Sequence, residues 1–134
     1  MVQGLDNFII YNTADGKASI KLYAENNTVW LSQMQIAELF NTTKQNISLH
    51  INNILGEGEL SYEATVKDYL TVQNEGNRQV NRNITYYSLD MILAVGFRVR
   101  SSRGTQFRKW ANTTLKEYLL KGLLALMQPS LIWL

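Results

Sequence analysis

Two hydrophobic periods follow one another along the chain. FIIY is an apolar run, Asp15-Gly16 is a turn dipeptide, and ASIKLY alternates apolar with polar residues, which predicts a β-hairpin. Asn26-Asn27 turns the chain into TVWL, whose β-branched and aromatic residues predict a third short strand. After Ser32 the period lengthens to three and four residues. Ser32 with Gln35 forms a capping box, in which each side chain satisfies a backbone N–H that a helix start leaves unpaired. Met34 or Ile36, Ala37, Leu39 and Phe40 keep helical spacing as far as Asn41, a residue that tolerates the left-handed conformation ending a helix. Thr42 or Thr43 then caps a second helix with an apolar stripe of Ile47, Ile51, Ile54 and, at its edge, Leu55, stopped by Gly56 and Gly58.

Between Val66 and Tyr87 the alternation returns around Glu75-Gly76-Asn77, predicting a wing-like β-ribbon with a polar tip. Ser88 is positioned to cap the amphipathic run LDMILAVGFRV. Ser101-Ser102 interrupts it, and FRKWANTTLKEYLLKGLLAL predicts the longest helix, with Phe107, Trp110, Ala111, Leu115, Tyr118 and Leu119 on one face. The expected fold is α+β: an N-terminal β-hairpin, a helix-turn-helix with a wing-like β-ribbon, then two further helices including a long C-terminal one. With no repeat or linker in view, residues 1–122 form a single winged helix-turn-helix-like domain, followed by an apolar tail over residues 123–134.

Composition removes several functional classes. A chain of 134 residues with 46% hydrophobic content can bury one core. It has no cysteine and one histidine, His50, so disulfides, thiol nucleophiles and metal clusters are excluded; no metal, cofactor or small-molecule substrate is expected. His50 has no carboxylate or nucleophile in a recognisable arrangement, and the expectation is that the protein is not an enzyme. The N-terminus lacks a secretory pattern, which predicts a cytoplasmic location and gives no meaning to the Asn-x-Ser/Thr triplets at Asn26, Asn41, Asn46, Asn83 and Asn112.

Charge then sharpens the reading. The net charge is +2, but residues 1–66 carry three basic against seven acidic groups and residues 67–134 carry ten against four, so the halves are −4 and +6. Residues 32–55 read as a helix-turn-helix in which small Ala37 allows close approach, while Ile36, Phe40 and Ile47 form a miniature core. That packing leaves Thr43, Lys44, Gln45, Asn46, Ser48, Leu49 and Asn52 facing out, with Asn53 beyond them. Such a face suits base reading: Gln and Asn pair with adenine and Lys with guanine, each good pair discriminating by about 1–3 kcal/mol. One lysine is too little to hold a polyanion. The expected phosphate contacts are therefore Ser32 and Thr42 near the helix N-termini, His50, Arg78 and Arg82 in the ribbon, and Arg98, Arg100, Arg103, Arg108 and Lys109. Lys116 and Lys121 read as a solvated helix face. This arrangement requires Lys44 and Arg103 to lie on one side of the domain. The function expected from it is sequence-specific binding of double-stranded DNA, with a protein–protein interaction module built on the same helix pair as the alternative.

Over residues 8–122, from TVWLSQMQIAELFNTTKQNISLHINNIL through VKDYLTV to ITYYSLDMILAVGFRVRSSRGTQFRKWANTTLKEYLLKG, the chain closely resembles the N-terminal module of the RhuM-type virulence-protein family of bacteria. The resemblance implies a DNA-binding protein of genomic islands and mobile elements, and so a regulator of transcription in a mobile-element or virulence-associated system. Similar modules precede Fic-type domains, but the His-Pro-Phe and Gly-Asn-Gly-Arg motifs of AMP transfer do not occur here. The resemblance is expected to stop after Gly122, where LLALMQPSLIWL begins. That apolar tail predicts a homodimer. It is shorter than the ~20 apolar residues a membrane span requires, so no membrane partner is expected.

Overall fold

The computed structural model describes residues 7–127. The chain runs β1 (Phe8–Asn12), β2 (Ser19–Glu25), β3 (Thr28–Ser32), α1 (Gln33–Phe40), α2 (Lys44–Gly56), the single turn α3 (Tyr62–Thr65), β4 (Val66–Glu75), β5 (Arg78–Ser88), α4 (Leu89–Val99), α5 (Ser102–Trp110), a π-helical turn (Ala111–Leu115) and α6 (Lys116–Met127). The strands form one antiparallel sheet in the order β1-β2-β3-β5-β4, an α+β architecture. Asn26 and Asn27 join β2 to β3 with φ of 55° and 63°, the double positive φ of a type I′ turn that asparagine tolerates.

Strand alternation decides where the core lies. Ile20 and Leu22 in β2 and Val29 and Leu31 in β3 are fully or almost fully buried, and they meet Ile36, Leu39 and Phe40 of α1, Ile47, Ile51 and Ile54 of α2, and Met91, Ile92 and Val95 of α4. On the opposite face Tyr23, Trp30, Tyr69 and Tyr86 gather. The Tyr86 ring lies 5.6 Å from Tyr23 and 5.5 Å from Tyr69, and the Lys67 ammonium sits 4.8 Å over Trp30. Trp30 Nε1 donates to the Glu25 carbonyl, and the Tyr69 hydroxyl donates to the Glu25 carboxylate. Burial, followed by that carboxylate, raises the Tyr69 pKa.

The helices depart from the sequence expectation at four points. Residue 88 is the N-cap of α4, but its hydroxyl makes no cap bond and is buried without a protein partner, so Ser88 does not act as the expected side-chain cap. The long helix begins at Ser102 rather than near Phe107, because Ser101 caps it by accepting from Gly104 N at 3.2 Å; the polar segment SRGTQ hides this start from any hydrophobic pattern. Phe107, Ala111 and Leu115 are buried and Leu119 half-buried at four-residue steps, which drift by about 40° each on an ideal α-helix. The wider π-helical turn takes up that drift and keeps the stripe on one face. Tyr118, expected on the same face, is 55% exposed. The single turn α3, absent from the expected elements, is capped by the Ser61 hydroxyl.

The backbone of α6 continues past Gly122 to Met127. Residues 128–134, and the side chains of the whole tail from 123, lie outside what is described, and with them the expected dimer contact.

Candidate nucleic-acid interface

Residues 41–43 join α1 and α2, and each boundary is fixed locally. Gln35 N donates to Ser32 Oγ at 3.3 Å while Ser32 N donates to Gln35 Oε1 at 2.9 Å, completing the capping box. Asn41 ends α1 at φ 54°, and Thr43 caps α2 by accepting from Asn46 N at 3.1 Å. Gln33 Nε2 donates to the Lys44 carbonyl at 2.9 Å, which ties the start of α2 to the start of α1. No signal in the sequence marks this bridge, because it depends on the angle between the helices.

With Ile47, Ile51 and Ile54 turned inward, Thr43, Lys44, Gln45, Leu49, Asn52 and Asn53 are exposed, and Asn46, Ser48 and His50 are half-buried. Leu49 is 56% exposed. Asn46 spends one amide hydrogen on Thr42 Oγ1 at 2.9 Å, so both side chains are partly committed to the turn. No acidic residue lies within Lys44–Gly56.

Cations flank the two ends of α2 unequally. Toward its C-terminal half, His50 and Asn53 line an open groove of about 910 Å³ with Glu59, Leu93, Phe97, Arg98, Arg100 and Arg108. Phe97 is 68% exposed, and the Arg108 guanidinium lies 5.7 Å over its ring. Arg98 is bound by Glu59 at 2.8 Å and Glu57 at 3.5 Å, and these bonds, Glu59 first, raise its pKa. Arg100 and Arg108 enter no ion pair among the described residues, nor does exposed Lys109. At the other end Lys44 lines a cleft of about 370 Å³ with Ser32, Gln33, Met34, Asn83, Ile84, Thr85 and Tyr87, so the base of the β4–β5 ribbon stands beside the start of α2.

Three of the expected phosphate contacts have acidic partners in the fold. Arg103 is only 11% exposed; its guanidinium donates to Asp15 Oδ2 at 3.0 Å and 3.2 Å and to the Glu38 carbonyl at 2.9 Å. It braces the β1–β2 turn against the end of α1 instead of presenting a free cation beside Lys44. A guanidinium next to a helix C-terminal carbonyl offsets an unpaired acceptor, which sequence periodicity does not reveal. Arg82 forms a bidentate pair with Glu75 in the ribbon, and Arg98 is held by the two glutamates that follow α2. Arg78, at the ribbon tip, has no acidic partner among the described residues.

Among the described residues no group of His, Asp and Glu could hold a metal ion, and no helix is long and apolar enough to cross a membrane. Residues 64–128 match the model of the virulence protein RhuM family. The match takes in α4, α5 and the ribbon, leaves out α1 and α2, and runs past Gly122, where the resemblance was expected to stop. No curated protein and no solved structure matches the chain.

Proposed function

We propose that this chain, whose residues 64–128 match the virulence protein RhuM family, is a sequence-specific DNA-binding domain and acts as a regulator of transcription. In this reading α1 and α2 form a helix-turn-helix, α2 enters the major groove, and the β4–β5 ribbon is its wing. One observation carries the reading: α2 exposes Lys44, Gln45, Asn52 and Asn53 with no acidic residue along its length, between a groove holding Arg100 and Arg108 and a cleft at the foot of the ribbon. Amides make paired bonds to adenine, and a face with no acid of its own sets no carboxylate of α2 against phosphate, while Arg98 holds the Glu57 and Glu59 carboxylates that follow the helix.

The division of labour differs from one in which every arginine grips DNA. Gln45 and Asn52 read bases; Lys44, Arg100, Arg108, Lys109 and Arg78 hold phosphates. Arg103 supports the turn that orients the helix pair. A symmetric pair of such domains would read half-sites about 34–36 Å apart.

Selection of bound duplexes from a random DNA pool at physiological salt tests the reading. Recovery of a shared sequence, whose affinity Gln45→Ala lowers while random-sequence affinity holds, supports it. Absence of DNA binding at low and moderate salt overturns it and assigns the helix pair to protein docking.

A further inference from the structure

The two faces of the β4–β5 ribbon carry opposite chemistry. Register pairs Leu70 with Asn83, Val72 with Asn81 and Asn74 with Gln79 on one face, and Thr71 with Arg82, Gln73 with Val80 and Glu75 with Arg78 on the other. The first face continues the helix side of the sheet, since Tyr87 pairs with both Val66 and Leu31 there. From Leu70 and Asn83 to the tip every residue on it is exposed, Leu70 at 58% and Val72 at 61%. Its one acid, Asp68, sits at the foot and accepts from the Thr85 hydroxyl at 2.6 Å. The Glu75–Arg82 ion pair lies on the other face.

We propose that the amide face of the ribbon, with Gln79, Asn81 and Asn83 as its reading residues, contacts the minor groove of DNA beside the major-groove site of α2 and selects A·T pairs there. The inference rests on the DNA-binding reading of α2.

Continuity and reach support this occupant. Asn83 and Thr85 line the same cleft as Lys44, so the amide row begins where α2 begins. Beyond Asp68 the ribbon extends by roughly 24 Å at about 3.4 Å per residue, twice the ~12 Å width of the major groove, which takes its tip across a phosphate strand. Arg78 is at that tip to meet the strand. In the minor groove every A·T pair offers only acceptors at its floor, whereas in G·C the guanine amino group projects into the groove; carboxamide N–H groups reach the acceptors of the first, and in the second the amino group stands in the way of that close approach. Leu70 and Val72, beside the amides, suit the apolar sugar walls of the groove.

The test varies the DNA as well as the protein. A duplex built on the site selected from the random pool is prepared with its flanking pairs as A·T, G·C or I·C, the last having the major-groove pattern of G·C and a minor groove without the amino group. The expected result is equal affinity for A·T and I·C flanks and a loss of roughly five-fold or more with G·C. In the triple variant Gln79→Ala, Asn81→Ala, Asn83→Ala the flank preference disappears while the preference dependent on Gln45 is kept. Flanks that bind equally, or I·C flanks that behave as G·C, overturn the inference while the reading of α2 stands. Absence of any DNA binding overturns both. The I·C comparison uses the unaltered protein, so it holds even if the triple variant folds poorly.

Discussion

Gly104 of α5 lies so close to Gly96 of α4 that a Cβ on residue 104 would stand 2.8 Å from the Gly96 carbonyl oxygen. A backbone oxygen in a buried helix cannot move aside, so α4 and α5 would have to separate. Gly104→Ala should therefore destabilise the protein by about 1–3 kcal/mol, in the range of other overpacked cores. At Gly96 the obstructing atoms are Phe40 Cζ at 2.8 Å and Cε1 at 3.1 Å, a side chain that can tilt. Gly96→Ala should cost less. Thermal unfolding of the two variants followed by circular dichroism checks the order, and equal melting temperatures for Gly104→Ala and the parent would refute it.

Arg103 supplies a prediction that separates stability from binding. Its removal leaves the Glu38 carbonyl without that donor, a loss of about 1 kcal/mol, and frees the β1–β2 turn. Arg103→Ala should lower the melting temperature and leave DNA affinity, measured well below that temperature, within about two-fold of the parent. Asp15 adds a pH dependence. The Lys17 backbone N–H, the Thr13 hydroxyl and then Arg103 lower its pKa from 3.8 to about 2. A carboxylate depressed in the folded state stabilises above its unfolded pKa, so this contribution is complete above pH 4 and is lost as pH falls from 3.8 toward 2. Asp15→Asn should flatten the acid limb of the melting curve in that window.

What the sequence reveals here is whatever is local. The capping box of Ser32 and Gln35, the Ile47–Ile51–Ile54 stripe and the ribbon around Gly76 all follow from side chains a few residues apart, and all are present. The exposed face of α2 follows from that stripe. Which cations remain free does not, since it depends on contacts across the fold: Arg103 finds Asp15 across 88 residues of chain and Arg98 finds Glu57 across 41. The segregation of amides and charges on the ribbon was within reach of strand alternation, once Glu75 and Arg78 are known to face each other at the tip.

Thr43 and Ser88 occupy the same position at the start of α2 and α4 and should respond oppositely to alanine. The Thr43 hydroxyl accepts from Asn46 N at 3.1 Å, and losing a cap of this kind costs about 1 kcal/mol. The Ser88 hydroxyl is buried with no protein partner, so Ser88→Ala removes an unsatisfied polar atom and should leave stability unchanged or raise it by up to about 1 kcal/mol. Chemical denaturation with a shared slope measures both. A clear destabilisation by Ser88→Ala would mean that its hydroxyl has a partner in solution.

If the chain binds DNA as proposed, Arg100 and Arg108 permit a counting experiment on the proposed phosphate contacts. Both line the groove beside His50 and Asn53 at the C-terminal half of α2, and neither is neutralised by a carboxylate among the described residues. Each phosphate contact contributes about 0.9 to the slope of log affinity against log salt. The double variant Arg100→Ala, Arg108→Ala should therefore make that slope shallower by about 1.8 and weaken random and selected duplexes alike. Arg98→Ala, which removes a cation already held by Glu57 and Glu59, should change the slope much less. Equal slope changes for Arg98→Ala and Arg108→Ala would show that the two glutamates release Arg98 on binding, and an unchanged slope in the double variant would move the phosphate contacts away from this groove.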